Sequence, residues 1–267
     1  MPGDDPFQNA SLKGRIAVVT GGTQGLGEAI ARVFAARGAA GLVICGRNAD
    51  KGGKVAASLE AEGCKALYVR ADLARVEDCR AVIAAADRAF GRVDALVNAG
   101  ASTDRGSILD TAPDVYDAIM AVNVRAPFFL MQDAIKIMLR EKIAGSIVNI
   151  QSISAHGGQP FLTPYSVSKG ALMTLTKNVA FAMMSHRIRV NGLNVGWMDT
   201  PGEDAIVRKY HGKQDGWLAE AEQTQPWGRL VKPDEIARAC AYLCSDESGL
   251  MSGANIDFAQ MVPGANN

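Results

Sequence analysis

The sequence lacks most of the features that would tie it to a charged surface, a membrane or a metal. Lys plus Arg number 28 and Asp plus Glu number 28, so the formal charge cancels. A neutral chain without basic runs has no long-range pull on nucleic acid or on an anionic membrane. No run of about 18 apolar residues is present to span a bilayer. The acidic, polar start MPGDDPFQNASLKG has no apolar stretch of the signal-peptide kind, and a cytoplasmic location is expected. The three histidines, His156, His186 and His211, are too scattered to complete a zinc site, and no metal is expected. The five cysteines are odd in number and form no CxxC, which fits free thiols in a reducing compartment. Cys240 and Cys244, four apart on a predicted helix, read as small buried apolar side chains.

What is present is an ordinary globular composition, 48% hydrophobic and 21% charged over 267 residues. It excludes a disordered chain, a collagen-like chain and a coiled-coil rod. A chain of this length buries a sizeable core without staples.

Short β-branched runs alternate with helical stretches. Strands are predicted at 15–20, 41–46, 65–70, 92–98, 145–151, 188–195 and 254–258. Helices are predicted at 25–38, 49–62, 75–90, 114–140 (kinked at Pro127), 164–186 and 233–245. Seven strands with helices between them predict an α/β fold: a Rossmann-like, doubly wound, seven-stranded parallel sheet. No repeat or linker divides the chain, so 1–267 reads as a single domain with a loose arm at 1–10. The stretch 197–232 holds Trp197, Trp217 and Trp227 with several Gly and Pro; it is too long for a connection and reads as a lid over a site.

The first strand runs into Thr20-Gly21-Gly22-Thr23-Gln24-Gly25-Leu26-Gly27 and a helix follows directly. Glycines at 21, 25 and 27 let the backbone turn sharply and approach a pyrophosphate, while the helix start offers free N–H groups and positive potential. Such dinucleotide sites usually carry an acid about 20 residues further on, for the ribose 2′-hydroxyl. Twenty residues beyond Gly27 stands Arg47, with no acid nearby in Cys45-Gly46-Arg47-Asn48. A guanidinium suits a 2′-phosphate, so NADP is expected to be preferred, with NAD possible.

Tyr165 and Lys169 lie four apart on a predicted helix and share a face, with Pro164 at its start. Ser152 closes the fifth strand, and the carboxyl ends of the strands bring it toward Asn98 and the glycine loop. A tyrosine acting near neutrality must drop by roughly 3 pH units, worth about 4 kcal/mol. An ammonium at about 4 Å in an effective dielectric near 20 supplies about that much. Lys169, helped by a cationic nicotinamide, is thus expected to turn Tyr165 into a general acid/base while Ser152 holds the substrate oxygen.

These motifs together resemble the short-chain dehydrogenase/reductase family: TGGTQGLG at 20–27, Asp72, Asn98-Ala99-Gly100, Asn123 in VNVRAPF, Ser152, Tyr165-Ser-Val-Ser-Lys169 and the Gly196–Thr200 segment. The resemblance spans about 12–260. It implies Ser152, Tyr165 and Lys169 as the catalytic trio and Asn123 as holder of a water linking Lys169 to solvent. The implied cofactor contacts are Gly21, Thr23, Gln24, Gly25, Leu26, Gly27, Arg47, Asp72 (on adenine), Leu73, Asn98, Gly100, Tyr165, Lys169, Val195, Gly196 and Thr200 (on the carboxamide). A homotetramer or homodimer is implied as well. Two departures stand out. Val195 precedes Gly196 where the family has proline, which relaxes the loop before Thr200. Asp257-Phe258-Ala259-Gln260 replaces the family's Asp-Gly-Gly, so the tail is expected to pack differently.

Substrate contacts are expected from Ser102, Ser152, Ser154, His156, Gln159, Tyr165, Trp197 and Met198, with Glu203, Asp204, Tyr210, His211 and Trp217 on the lid. This polar set with an aromatic wall favours a sugar or polyol, because unmatched buried polar groups cost about 1–3 kcal/mol each. The expected activity is hydride transfer between a nicotinamide and a secondary alcohol or carbonyl. A 3-oxoacyl thioester reductase is the alternative, with Arg208, Lys209 and Lys213 as a basic patch for the carrier phosphate. A cofactor-sensing binding protein would have no need of the Ser152–Tyr165–Lys169 set.

Overall fold

The computed structural model describes residues 11–212 and 215–264. The arm expected at 1–10, Lys213 and the side chain of His211 lie outside that description.

Seven strands form one parallel sheet: β1 (Ile16–Thr20), β2 (Gly41–Gly46), β3 (Lys65–Arg70), β4 (Ala95–Asn98), β5 (Ser146–Ser152), β6 (Arg189–Val195) and β7 (Asn255–Phe258). Their order is β3-β2-β1-β4-β5-β6-β7. The chain winds outward to β3, then crosses β1 to begin β4. A crevice opens at that switch, beyond the carboxyl ends of β1 and β4.

Period-two alternation sends neighbouring residues to opposite faces. Ala17, Val19, Leu42 and Ile44 enter one core with helices α1 (Gly25–Ala36), α2 (Ala49–Ala61) and α9 (Pro233–Cys244). Val18, Val43, Cys45 and Leu96 enter the other with α3 (Val76–Phe90) and α5 (Ala126–Arg140), and α6 (Thr163–Met183) covers the same face. Burial on both faces explains why these strands are near-continuous apolar runs. Cys240 and Cys244 pack in the first core, where burial pushes both thiols upward.

Two expectations need correction. The helix expected over 114–140 is α4 (Pro113–Met120), a five-residue π-helical turn (Ala121–Arg125) and then α5. The Ala126 N–H reaches back five residues to the Ala121 carbonyl, and Pro127 sits in the first turn of α5. A first-turn proline has no intrahelical donor to lose; the break belongs to the wide turn at Asn123. Second, the lid segment is itself helical, with α7 (Pro201–His211) and α8 (Trp217–Gln223). Thr200 caps α7 by accepting from the Glu203 N–H at 3.1 Å. Val207, Trp217, Ala221 and Leu230 bury a small core of their own.

Candidate active site

The crevice is a cleft of about 1320 Å³. One end is built from the loop after β1. Gly21 adopts φ +67°, and a Cβ there would stand 2.8 Å from the Gly100 Cα. Thr20 locks this approach, its Oγ1 accepting from the N–H groups of Ala99 and Gly100 at 3.0 Å each. Gly27 opens the helix against the loop, and a Cβ on it would come within 2.3 Å of the Gly21 carbonyl oxygen. Gln24 caps α1 without a side-chain bond to it, leaving the first helical N–H groups open to an anion. Thr20 and Gly22 were not singled out from the sequence; a hydroxyl directly before paired glycines was the available signal.

Thr23, Gln24, Gly25, Leu26, Arg47, Asp72, Leu73, Val195, Gly196 and Thr200 line the cleft. Arg47 is exposed at the carboxyl end of β2. Beside it, Lys51 donates to Gln24 Oε1 at 2.7 Å, a second cation that the sequence reading passed over. Asn98 does not line the cleft. It is buried, its Nδ2 donates to Asn149 Oδ1 at 2.8 Å, and its own Oδ1 has no partner. The cradle fits a dinucleotide: a pyrophosphate at the glycine loop and helix start, and a nicotinamide toward Ser152 and Tyr165.

At that second end, Ser152 closes β5 and accepts from the Ser154 N–H at 3.1 Å. Tyr165 stands in the first turn of α6 and lines the cleft with Ser152, whose hydroxyl favours the ionised phenol. Lys169 follows one turn later, buried, with Nζ donating to the Ile150 carbonyl at 2.8 Å and lying 5.6 Å from the centre of the Tyr165 ring. The electrostatics differ from expectation. Burial pushes the Tyr165 phenol up to about 12, opposed by the Ser152 hydroxyl; Glu203 raises it further and Arg105 lowers it. Burial pulls Lys169 down to about 8. The ammonium is directed at the Ile150 carbonyl of β5, and desolvation is the leading influence on both groups.

Asn123 lies behind this wall, outside the cleft lining. Its Oδ1 accepts from the Ser102 N–H at 2.8 Å, and Nδ2 donates to the Ser102 carbonyl at 2.9 Å and Ser168 Oγ at 3.0 Å. Its side chain fixes the loop after β4 against α6.

Of the expected substrate contacts, Ser102, Ser154, Gln159, Trp197 and Met198 line the cleft. His156 does not: its Nε2 meets Asp257 Oδ1 at 2.8 Å, and Asn194 Nδ2 donates to the same oxygen at 2.7 Å. Asp257 on β7 and Asn194 on β6 thus hold the histidine outside the cleft. Gln260 ties the tail down by accepting from the Trp227 N–H at 2.9 Å. Val195 remains in register with Ser152 and Phe258. The lid's polar groups are largely consumed. Asp204 accepts from Arg208 and Trp217, while Tyr210 and Lys209 bond Asp104. Arg208 also pairs with Asp215. Of the patch expected to meet a carrier phosphate, Arg208 and Lys209 pair with their own neighbours, and Lys213 lies outside the described residues. The cleft there is lined by Phe161, Leu162, Ile206, Val207 and a stacked Trp197–Trp217 pair, ring centres 6.1 Å apart, together with Arg105, Glu203, Glu220, Thr224 and Gln225.

A family model described as Enoyl-(Acyl carrier protein) reductase matches residues 21–258. The chain belongs to the short-chain dehydrogenase/reductase family. The NADP-dependent (R)-specific alcohol dehydrogenase of Lentilactobacillus kefiri is 34% identical over 91% of this chain and 94% of that protein. The L-sorbose reductase of Gluconobacter frateurii, complexed with NADPH and L-sorbose, has 28% identity and a TM-score of 0.88, covering 97% of this chain and 100% of that one. A 3-oxoacyl (acyl-carrier-protein) reductase of Agrobacterium tumefaciens with NADP bound has 26% identity and a TM-score of 0.86, over 96% and 97% of the two chains. The short-chain dehydrogenase/reductase described here is an NAD(P)-dependent oxidoreductase. Among its described residues no helix is long and apolar enough to cross a membrane.

Proposed function

We propose that the protein interconverts a ketone and a secondary alcohol with NADP(H), and that the substrate carries an apolar or aromatic body beside its carbonyl. The observation that carries the substrate reading is the lining of the lid end. Phe161, Ile206, Val207 and the Trp197–Trp217 stack face the cleft. The polar lid groups Asp204 and Tyr210 are already hydrogen-bonded within the protein. A polyol hydroxyl placed against these apolar faces would lose water without regaining a hydrogen bond, at about 1–3 kcal/mol for each unmatched group.

The bound dinucleotide would supply the hydride donor or acceptor. Gly21, Gly25 and Gly27 would hold its pyrophosphate and Arg47 its 2′-phosphate, assisted by Lys51; Asp72 and Leu73 would flank adenine, with Thr200 toward the nicotinamide. Ser152 Oγ holds the substrate oxygen, and Tyr165 Oη gives or takes its proton. Lys169 supplies positive potential below the phenol, and Asn123 positions the Ser102 loop. Exposed Phe128, Val167 and Phe181 on α5 and α6 support assembly with further copies of the chain.

A sugar or polyol is the second reading. It is favoured by Ser154 and Gln159, polar side chains on the same wall, and by the likeness to the sorbose reductase. The deciding experiment follows NADPH consumption with aryl and alkyl ketones, ketoses and 3-oxoacyl esters. Higher kcat/KM for the bulky ketones is expected; preference for ketoses would select the second reading. Tyr165→Phe should abolish turnover while leaving NADPH binding intact, and retained turnover would remove the acid/base assignment.

A further inference from the structure

Arg105 and Glu203 form an ion pair inside the cleft, NH2 to Oε1 at 3.2 Å, with side chains only 12% and 17% exposed. Both line the cavity that holds Ser152 and Tyr165. They come from opposite walls. Glu203 is in the first turn of lid helix α7, and its Oε1 also accepts from Trp197 Nε1 at 2.9 Å. Arg105 belongs to the loop after β4. That loop is laddered to the segment that starts α6: the Gly106 N–H donates to the Phe161 carbonyl at 2.9 Å, and the Thr163 N–H donates to the Gly106 carbonyl at 3.1 Å. The guanidinium donates to the Thr103 carbonyl at 3.1 Å and lies over the Phe161 ring, while its buried Nε has no hydrogen-bond partner. Two desolvated charges in this position return little stability for the water they displace. Neither belongs to the family motifs on which the sequence reading rested.

We propose that Arg105 and Glu203 are positioning residues for Tyr165: one charge on the fixed wall and one on the lid set the field across the cleft that governs the phenol's proton. The inference rests on Tyr165 being the acid/base. Other groups around the phenol are Ser152 on β5, which lines the cleft with it and favours its ionised form, and Lys169 on its own helix, whose ammonium is held by the Ile150 carbonyl. Asp104 and Glu220 also line the cleft, Asp104 being held by Tyr210 and Lys209. The two partners act on the phenol in opposite senses, Glu203 favouring its protonated form and Arg105 its ionised form.

The test is the pH dependence of alcohol oxidation, using any substrate found active, in Glu203→Gln, Arg105→Gln and the double variant. Glu203→Gln should move the limb that reports Tyr165 ionisation down by about one pH unit, a tenfold change in the ionised fraction. Arg105→Gln should move it up by a similar amount. The double variant should return near the parent, and Arg105→Lys should stay close to it. Single variants that shift the limb in the same direction, or not at all, would overturn the proposal. Where a variant loses turnover, the tyrosinate absorbance difference between it and its Tyr165→Phe derivative supplies the titration, and the same opposed directions are required. Turnover surviving in Tyr165→Phe would instead refute the functional reading beneath the proposal, so the two failures are distinct.

Discussion

Exchanging Lys169 for methionine would expose the free energy held by a desolvated ammonium. Burial pulls Lys169 from 10.5 to about 8, and the side chain is 3% exposed. Between those two values the unfolded chain keeps the proton and the folded chain has released it. Wild-type stability therefore rises with pH across about 8 to 10.5, while below 8 both states are protonated and the full burial penalty is present. The separation corresponds to about 3 kcal/mol. Methionine carries no such penalty, but it leaves the Ile150 carbonyl without the ammonium that now donates at 2.8 Å, which costs about 1–3 kcal/mol at any pH. The two effects oppose each other near pH 7, so the variant should match the parent there or exceed it by up to about 2 kcal/mol. Near pH 10.5 only the lost bond remains and the variant should be less stable by about 1–3 kcal/mol, a swing of about 3 kcal/mol between the two pH values. Tyr165 and the buried cysteines titrate in both proteins and drop out of the difference. Urea unfolding at the two pH values measures it, and denaturation midpoints that run parallel for the two proteins would refute the reasoning.

The remaining expectations concern the cofactor cradle. Arg47→Ala should raise KM for NADP roughly 10- to 100-fold, the worth of about 1.5–3 kcal/mol of charged hydrogen bonding, and leave KM for NAD nearly unchanged; equal effects on both would reject the 2′-phosphate role. Gly27→Ala should remove dinucleotide binding in a fluorescence titration, because its Cβ would lie 2.3 Å from the Gly21 carbonyl oxygen and that atom is backbone; unchanged affinity would show that the loop yields. Asp257→Ala should release His156 and leave activity within about twofold, since neither residue lines the cleft; a large loss would return His156 to the substrate.

Much of the site could be read in the chain because its parts are local. A glycine loop between a strand and a helix, or a tyrosine and a lysine one turn apart, is fixed by a few consecutive residues. The elements were legible for the same reason, since apolar runs and glycine stops mark them directly. The break at Asn123 was not, because a π-helical turn leaves no composition signal and Pro127 drew attention to the wrong residue. Neither was the fate of His156, which depends on Asp257, 101 positions away.

The sequence alone determined the parallel doubly wound sheet, the crevice at its carboxyl edge and the glycine loop that opens it, since these follow from periodicity and short-range geometry. Only tertiary structure decided the rest: which lid groups were already paired, where Lys169 aimed its ammonium, and that Arg105 and Glu203 met across the cleft. Charge and hydrogen-bond satisfaction are settled by neighbours distant in the chain, and desolvation exists only once the fold has closed around the group.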